Sequence, residues 1–127
     1  MNPDRAVLDG ITDRIIGCAF TVANGLGIGF SEKCYENALA HEMLKQGLAV
    51  LQQIGVTVWF DTVVIGEYVA DLMVENEVMV ELKVAKALGD QHVAQCTNYL
   101  RAADKRLCLL INFGRPRIEI RRVAANP

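Results

Sequence analysis

Two acidic residues and a lysine lie in neighbouring apolar segments of this chain. Asp71 interrupts one apolar stretch, and Glu81 and Lys83 follow in the next strand-like segment. Side chains of a strand alternate between its two faces, so Glu81 and Lys83 share a face and lie about 7 Å apart along the backbone. If the chain turns back at Glu75-Asn76, Asp71 comes close to both. Two carboxylates on neighbouring strands form a site for a hard divalent cation.

The same pattern also suits the solvated face of an antiparallel sheet, where polar and apolar residues alternate. Asp71 argues against that interpretation, because an ionised carboxylate among apolar side chains is costly unless it is paired or bound to a metal. Gln95 and Tyr99 follow on a predicted helix, one turn apart and on one face. Together these residues favour a functional site.

The composition is that of a globular protein with one hydrophobic core. Hydrophobic residues make up 52% of the 127 residues and charged residues 22%, and a chain of this length buries about two thirds of its unfolded surface. We therefore expect residues 1–127 to form a single domain. No apolar stretch is long enough for a membrane span, and the first residues lack the order of a secretory signal. We expect a cytoplasmic protein that does not bind membranes.

The cysteines and histidines form no metal-binding pattern. Cys18, Cys34, Cys96 and Cys108 contain no CxxC pair, and neither histidine lies at a zinc-ligand spacing from them. Because the cysteines lie beside apolar residues, we expect all four to be small buried hydrophobic side chains.

Basic residues are concentrated towards the C-terminal end. Residues 1–100 contain six Lys and Arg against thirteen Asp and Glu, whereas residues 101–127 contain seven against two. The seven could form a rim that contacts phosphates beside an acidic metal site, or they could protect an exposed edge strand. They are Arg101, Lys105, Arg106, Arg115, Arg117, Arg121 and Arg122.

Periodicity predicts the order helix, helix, three strands, helix, two strands. Ser31 is the expected N-cap of the second helix, with Phe30 and Tyr35 forming a hydrophobic staple. The glycines before it lack the spacing of a dinucleotide-binding loop. This order suits an α+β or α/β sandwich in which the third helix places the fourth strand parallel to its neighbour. The predicted helices are residues 4–23, residues 31–46 and a third helix that begins at residues 89–90. The predicted strands are residues 50–60, residues 63–65 with a bend or bulge at Gly66, the strands that contain Asp71 and Glu81, and residues 106–113 and 117–123.

Five short motifs occur in order on these elements: Gly29-Phe-Ser-Glu32-Lys-Cys-Tyr35, Gly66-Glu-Tyr-Val-Ala-Asp71, Val80-Glu-Leu-Lys83, Gln95-Cys-Thr-Asn-Tyr-Leu100 and Leu110-Ile-Asn-Phe-Gly114. Together they resemble the core of the PD-(D/E)XK nuclease superfamily and, more closely, its bacterial GxxExxY protein family. The resemblance implies an α/β (α+β), restriction-endonuclease-like core: a central mixed sheet of about five strands flanked by three helices. Ala23 and Ile28 depart from it, since relatives typically have histidine and proline there.

The resemblance also implies a metal-dependent phosphodiesterase that acts on DNA or RNA. Asp71 and Glu81 would bind Mg²⁺ or Mn²⁺ with help from the backbone carbonyl of Leu82, and Glu32 would complete the metal ligands or hold a water. The metal would polarise the scissile phosphate and activate the attacking water. Lys83 would orient that water or stabilise the developing negative charge.

The remaining implied roles concern the substrate. Gln95 and Tyr99 would be accessory residues that position the metal ligands or the nucleic-acid backbone. Nucleic acid is the expected partner, and the oligomeric state, including a homodimer, stays open. The expected nucleic-acid-binding residues are Arg115, Arg117, Arg121 and Arg122.

Two other functions stay open at this point. A nuclease-fold module that binds nucleic acid or serves as a scaffold without turnover is suggested by the net charge of −2 and by the short chain, which offers little surface for a specific substrate. An enzyme that uses the same metal site on a phosphorylated small molecule is the third function that the residues allow.

Overall fold

A computed structural model describes residues 5–125 and confirms the predicted order of elements. Residues 1–4 and 126–127 lie outside the described residues, and with them the predicted helix start at residue 4. The first helix continues three residues beyond its predicted end. The elements are α1 (Arg5–Leu26), α2 (Glu32–Lys45), β1 (Val50–Phe60), β2 (Val63–Val74), β3 (Val78–Lys83), α3 (Asp90–Ala103), β4 (Leu107–Asn112) and β5 (Glu119–Ala124).

The five strands form one mixed sheet in the order β1-β2-β3-β4-β5. Neighbouring strands are antiparallel except for β3 and β4, which run parallel because α3 crosses over between them. The predicted α+β architecture, a five-stranded mixed sheet with three helices, is confirmed. No helix within residues 5–125 is long and apolar enough to cross a membrane.

Strand β3 separates two hydrophobic clusters. Val78, Val80 and Leu82 pack in the cluster that contains α1 and α2, whereas Met79 packs in the cluster that contains α3. The predicted alternation of this strand is therefore confirmed. It directs Glu81 towards the face of the sheet that α3 covers.

The β1–β2 hairpin rotates at Asp71. Ala70 belongs to the cluster on the α3 side and Leu72 to the cluster on the other side, although side chains two residues apart in a regular strand share a face. On β1, Gln53 lies between the residues paired with Ala70 and Leu72 and has a positive φ of 58°. Because of this rotation, the side chains of β2 do not alternate regularly between the two faces of the sheet at Asp71.

The predicted short strand at residues 63–65 is instead the first part of β2. That strand continues through Gly66 to Val74. The register pairs Val58 with Gly66 and Trp59 with Val64, which leaves Ile65 as an extra residue. A bulge thus occurs beside Gly66, as predicted, but it bends the strand without ending it.

The cysteine prediction is correct for three residues and wrong for one. Cys18, Cys96 and Cys108 are buried, whereas Cys34 is exposed. Cys34 lies one residue before Tyr35, whose side chain faces the core, so its own side chain lies on the outer part of α2.

The loop after β4 packs closely on the chain that leaves β3, and this contact predicts an effect of mutation. A Cβ added at Gly114 would lie 2.4 Å from the backbone N and O of Ala85. We expect Gly114→Ala to cost about 1–3 kcal/mol of stability, measured as a fall in Tm of several degrees.

Gly10→Ala is the matched control for this substitution. Gly10 is an exposed residue of α1 with no atom within 4 Å of an added Cβ. Alanine favours the helix by up to about 1 kcal/mol, so this variant should melt at or above the parent. A Gly114→Ala variant that melts no lower than the parent would show that the loop is not held against Ala85.

Candidate active site

Asp71 and Glu81 are joined where the backbone pairing of β2 and β3 ends. The register pairs Leu72 with Val80, and Asp71 and Glu81 are the next residues beyond. The Asp71 N–H donates to Glu81 Oε1 at 3.1 Å, and the Leu82 N–H donates to Asp71 Oδ2 at 2.8 Å. One oxygen of each carboxylate therefore holds the backbone, and each has a second oxygen for a proton or a cation.

Burial makes it unfavourable for Asp71 and Glu81 to be ionised at the same time. Glu81 is only 3% exposed, and burial, followed by the charge of Asp71, raises its pKa to about 8. Burial also raises the pKa of Asp71. At neutral pH without a metal, the two carboxylates therefore share a proton, whose place a divalent cation would take.

Lys83 lies within electrostatic range of both carboxylates and bonds to α3. Its Nζ donates to Gln95 Oε1 at 2.9 Å, and Gln95 Nε2 donates to the Tyr99 hydroxyl at 3.2 Å. The positive charge of Lys83 partly counters the upward shifts in the pKa values of Asp71 and Glu81. The structure thus brings Gln95 into contact with Lys83, and Tyr99 into contact with Gln95.

Glu32 lies at the edge of this group, on the first turn of α2. The predicted cap fixes its position: Ser31 Oγ accepts a hydrogen bond from the Cys34 N–H at 3.2 Å, and the rings of Phe30 and Tyr35 meet edge to face at 6.2 Å. Partial burial and then the charge of Asp71 raise the pKa of Glu32. Glu32 is therefore within electrostatic range of Asp71; its role at a metal stays a prediction.

Glu36, one turn further along α2, is a buried acidic residue near the site that was not predicted from the sequence. This carboxylate is 3% exposed and accepts hydrogen bonds from Gln52 Nε2 and Gln53 Nε2, both at 2.8 Å, and from Lys33 Nζ at 3.0 Å. Its negative charge raises the pKa of nearby Asp71. The signal was present, because an acidic residue at position 36 lies in helical register with buried residues at 40 and 43.

The donors fit a hard divalent cation, although the site is not a preassembled cage. Within residues 5–125, no three His, Cys, Asp or Glu side chains form a group ready to hold a metal. Mg²⁺ needs only one or two protein carboxylates, because it keeps several waters. Asp71 and Glu81 supply that number, and burial raises the pKa of both carboxyl groups.

The structure does not gather the seven C-terminal basic residues into one rim. Adjacent residues of a strand point to opposite faces, so Arg121 and Arg122 of edge strand β5 are separated. Arg122 bonds to Asp9 Oδ1 at 2.6 Å and to Thr12 Oγ1 at 3.1 Å on α1. Lys105 donates to the turn that precedes β3, at the end opposite Lys83.

Arg115 and Arg117 lie nearer to the candidate site. Both are exposed residues of the loop between β4 and β5. This loop begins where the Phe113 N–H donates to the Lys83 carbonyl at 2.9 Å. Arg115 also pairs with Glu119 at 3.5 Å. Contact of these two arginines with phosphates stays a prediction.

Comparison with known proteins agrees with this geometry. Residues 9–123 match the PD-(D/E)XK nuclease superfamily. The chain belongs to this superfamily. Its members generally use divalent metals, and no curated protein sequence matches the chain.

Two solved structures are similar in fold. One is an alkaline exonuclease, LHK-Exo, from Laribacter hongkongensis, with a TM-score of 0.57 and 10% identity over 99% of this chain and 73% of that one. The other is SSO0001, with a TM-score of 0.51 and 12% identity over 92% of this chain and 66% of that one. At such identities the likeness concerns the fold alone.

The shifted pKa of Glu81 predicts how pH changes stability in EDTA. Its pKa is about 8 in the folded chain against an ordinary value of 4.5, so between these values the folded chain binds more protons than the unfolded one. The parent should therefore lose stability as pH rises from about 5 to about 8. Glu81→Gln removes this loss, and its amide can donate to Asp71. Thermal melts should place the variant several degrees above the parent at pH 8, with a smaller difference at pH 5.

The same thermal melts, repeated with Mn²⁺, test whether Glu81 is needed for metal binding. The metal should stabilise the parent and leave Glu81→Gln unchanged, because a ligand stabilises only the form that binds it. Glu67→Gln, which changes an exposed carboxylate of β2, should match the parent in both series. If Glu81→Gln melts below the parent at every pH and keeps the Mn²⁺ effect, Glu81 is a structural partner of Lys83.

Proposed function

We propose that this protein is a metal-dependent nuclease of the GxxExxY family that hydrolyses phosphodiester bonds of DNA or RNA with Mg²⁺ or Mn²⁺. The observation that carries the proposal is the bonding of Asp71 and Glu81 at the end of the β2–β3 pairing in a PD-(D/E)XK fold, with Lys83 within electrostatic range of both. Two carboxylates whose pKa values are raised by burial, beside a lysine, are typical of a catalytic metal site.

The three residues of the GxxExxY motif have separate physical tasks, which supports the assignment to that family. Gly29 has a φ of 110°, which side chains other than glycine rarely adopt. The Tyr35 hydroxyl donates to the Gly27 carbonyl at 2.5 Å, and its ring stacks on Phe113 at 4.8 Å. Glycine and tyrosine thus fix the loop before α2, and Glu32 is the residue that this loop presents to the site.

Asp71 and Glu81 would hold the cation, with the Leu82 carbonyl as a third oxygen and Glu32 as a direct ligand or the partner of a coordinated water. A bound Mg²⁺ or Mn²⁺ would polarise the scissile phosphate and lower the pKa of the attacking water. The protein's own contribution is to hold the carboxylates rigidly through the Asp71 and Leu82 backbone amides.

Lys83 would donate to the attacking water or to the phosphate oxygens as negative charge develops on them. Gln95 and Tyr99 would act as positioning residues, because the bond from Lys83 Nζ to Gln95 restricts where the ammonium group can lie. Arg115 and Arg117 would contact backbone phosphates beside this end of the sheet.

A non-catalytic module that binds nucleic acid is the second candidate function. Two observations favour it. Both carboxylates already accept hydrogen bonds from the backbone, and in the described part of the chain no third ligand completes a metal cage. Such a module would bind nucleic acid without a need for metal.

Cleavage assays test the leading proposal. The purified protein should cleave single- or double-stranded nucleic acid with Mg²⁺ or Mn²⁺ and lose this activity in EDTA. Asp71→Ala, Glu81→Ala and Lys83→Ala should each reduce the rate by about 100-fold or more. A double variant should be little worse than the worse single one, because the three residues support one transition state. Glu32→Ala should show an intermediate loss.

Two controls make the assay decisive. Glu67→Ala removes an exposed carboxylate of the same strand as Asp71 and should keep full activity. Circular dichroism should show that each inactive variant is folded. Cleavage that persists in Glu81→Ala would point to a contaminating nuclease. No cleavage of a broad panel, with Mn²⁺ still bound, would replace the nuclease by the non-catalytic module.

A further inference from the structure

A cleft of about 830 Å³ opens between the β1–β2 hairpin and α3, beside the candidate active site. The hairpin contributes Trp59 and Tyr68 to its lining, and α3 contributes Gln95, Asn98, Tyr99 and Arg101. Gln95 accepts a hydrogen bond from Lys83 and donates one to Tyr99. The cleft is therefore separated from the proposed catalytic lysine by a single side chain.

Two of the three aromatic side chains that line this cleft, Trp59 and Tyr68, are exposed to solvent. Trp59 is 61% exposed and Tyr68 is 49% exposed, while the ring of Tyr68 lies 5.7 Å from that of Tyr99. Exposed ring faces beside polar groups are platforms on which nucleobases stack, irrespective of sequence. The rings thus offer a surface that the folding of the chain itself leaves uncovered.

The polar part of the lining suits a polyanion that carries hydrogen-bonding bases. Among the described residues that line the cleft, none is acidic, and Arg101 is basic. Gln91 and Asn98 are exposed amides on the same face of α3, and amides can pair with the edges of bases. This contrasts with the site next to it, where the carboxylates of Asp71 and Glu81 lie side by side.

We propose that this cleft binds an unpaired nucleobase next to the scissile phosphate, so that the substrate is single-stranded DNA or RNA. In a duplex both faces of each base are covered by its neighbours, and stacking on Trp59 or Tyr68 requires a base that is out of the helix. The proposal rests on the proposed nuclease function for the position of the phosphate at Lys83. The base-binding surface itself follows from the cleft.

The single tryptophan of the chain makes a direct test available. Trp59 is the only tryptophan among the 127 residues, so its fluorescence reports on the cleft alone. In EDTA, a single-stranded oligonucleotide of mixed sequence should quench this fluorescence to saturation. A blunt duplex of the same sequence should bind about tenfold more weakly.

Variants measured by the anisotropy of a labelled oligonucleotide complete the test. Trp59→Ala and Tyr68→Ala should each weaken single-strand binding about tenfold. Phe60→Ala is the matched control, since Phe60 is 68% exposed on the same strand but does not line the cleft. With Mg²⁺, Trp59→Ala should raise KM on single strands and leave kcat nearly unchanged.

The failures of this inference and of the nuclease proposal are distinguishable. Equal binding of duplex and single strand, or binding that Trp59→Ala and Tyr68→Ala leave unchanged, would overturn the inference even if cleavage occurs. Trp59 fluorescence that changes with protein concentration but not with oligonucleotide would overturn it in favour of a second copy of the chain. Saturable quenching without any cleavage would support the base-binding cleft and refute the nuclease.

Discussion

The candidate site depends on two hydrogen bonds that replace regular strand pairing between β2 and β3. Where the backbone ladder would continue, the Asp71 N–H donates to Glu81 and the Leu82 N–H donates to Asp71. The rotation of β2 at Asp71, opposite the positive φ of Gln53, makes room for them. Because the carboxylates act as sheet partners, their geometry is as rigid as the sheet itself.

This arrangement conflicts with stability in the absence of a metal. Asp71 lies within electrostatic range of Glu32, Glu36 and Glu81, and burial together with repulsion between carboxylates raises the pKa of Glu32, Asp71 and Glu81. Polar partners hold Glu36 in place, and Lys83 offsets part of the remaining repulsion. A fold selected for stability alone would not bury acidic groups in this way, so the conflict is itself an argument for function.

The part of the site that could be predicted is the part governed by local periodicity. Strand alternation placed Glu81 and Lys83 together, and the turn at Glu75-Asn76 brought Asp71 to them. The cap at Ser31 likewise located Glu32. Contacts between residues far apart in the chain determine the positions of Glu36 and Arg122, which the sequence did not predict. Glu36 is identified by partners on β1, more than fifteen positions away in the chain, and Arg122 by its bond to α1. Strand alternation alone predicts that Arg121 and Arg122 lie on opposite faces of β5.

The central claim, that Asp71 and Glu81 together bind a divalent cation, is tested most directly by a crystal soaked in Mn²⁺ and measured for anomalous scattering. We predict a single strong peak between the two carboxylates, close to the Leu82 carbonyl and absent from crystals of Glu81→Gln. Crystals of the parent with no peak there, while the Asp71 and Glu81 carboxylates keep their bonds to the backbone, would contradict the claim.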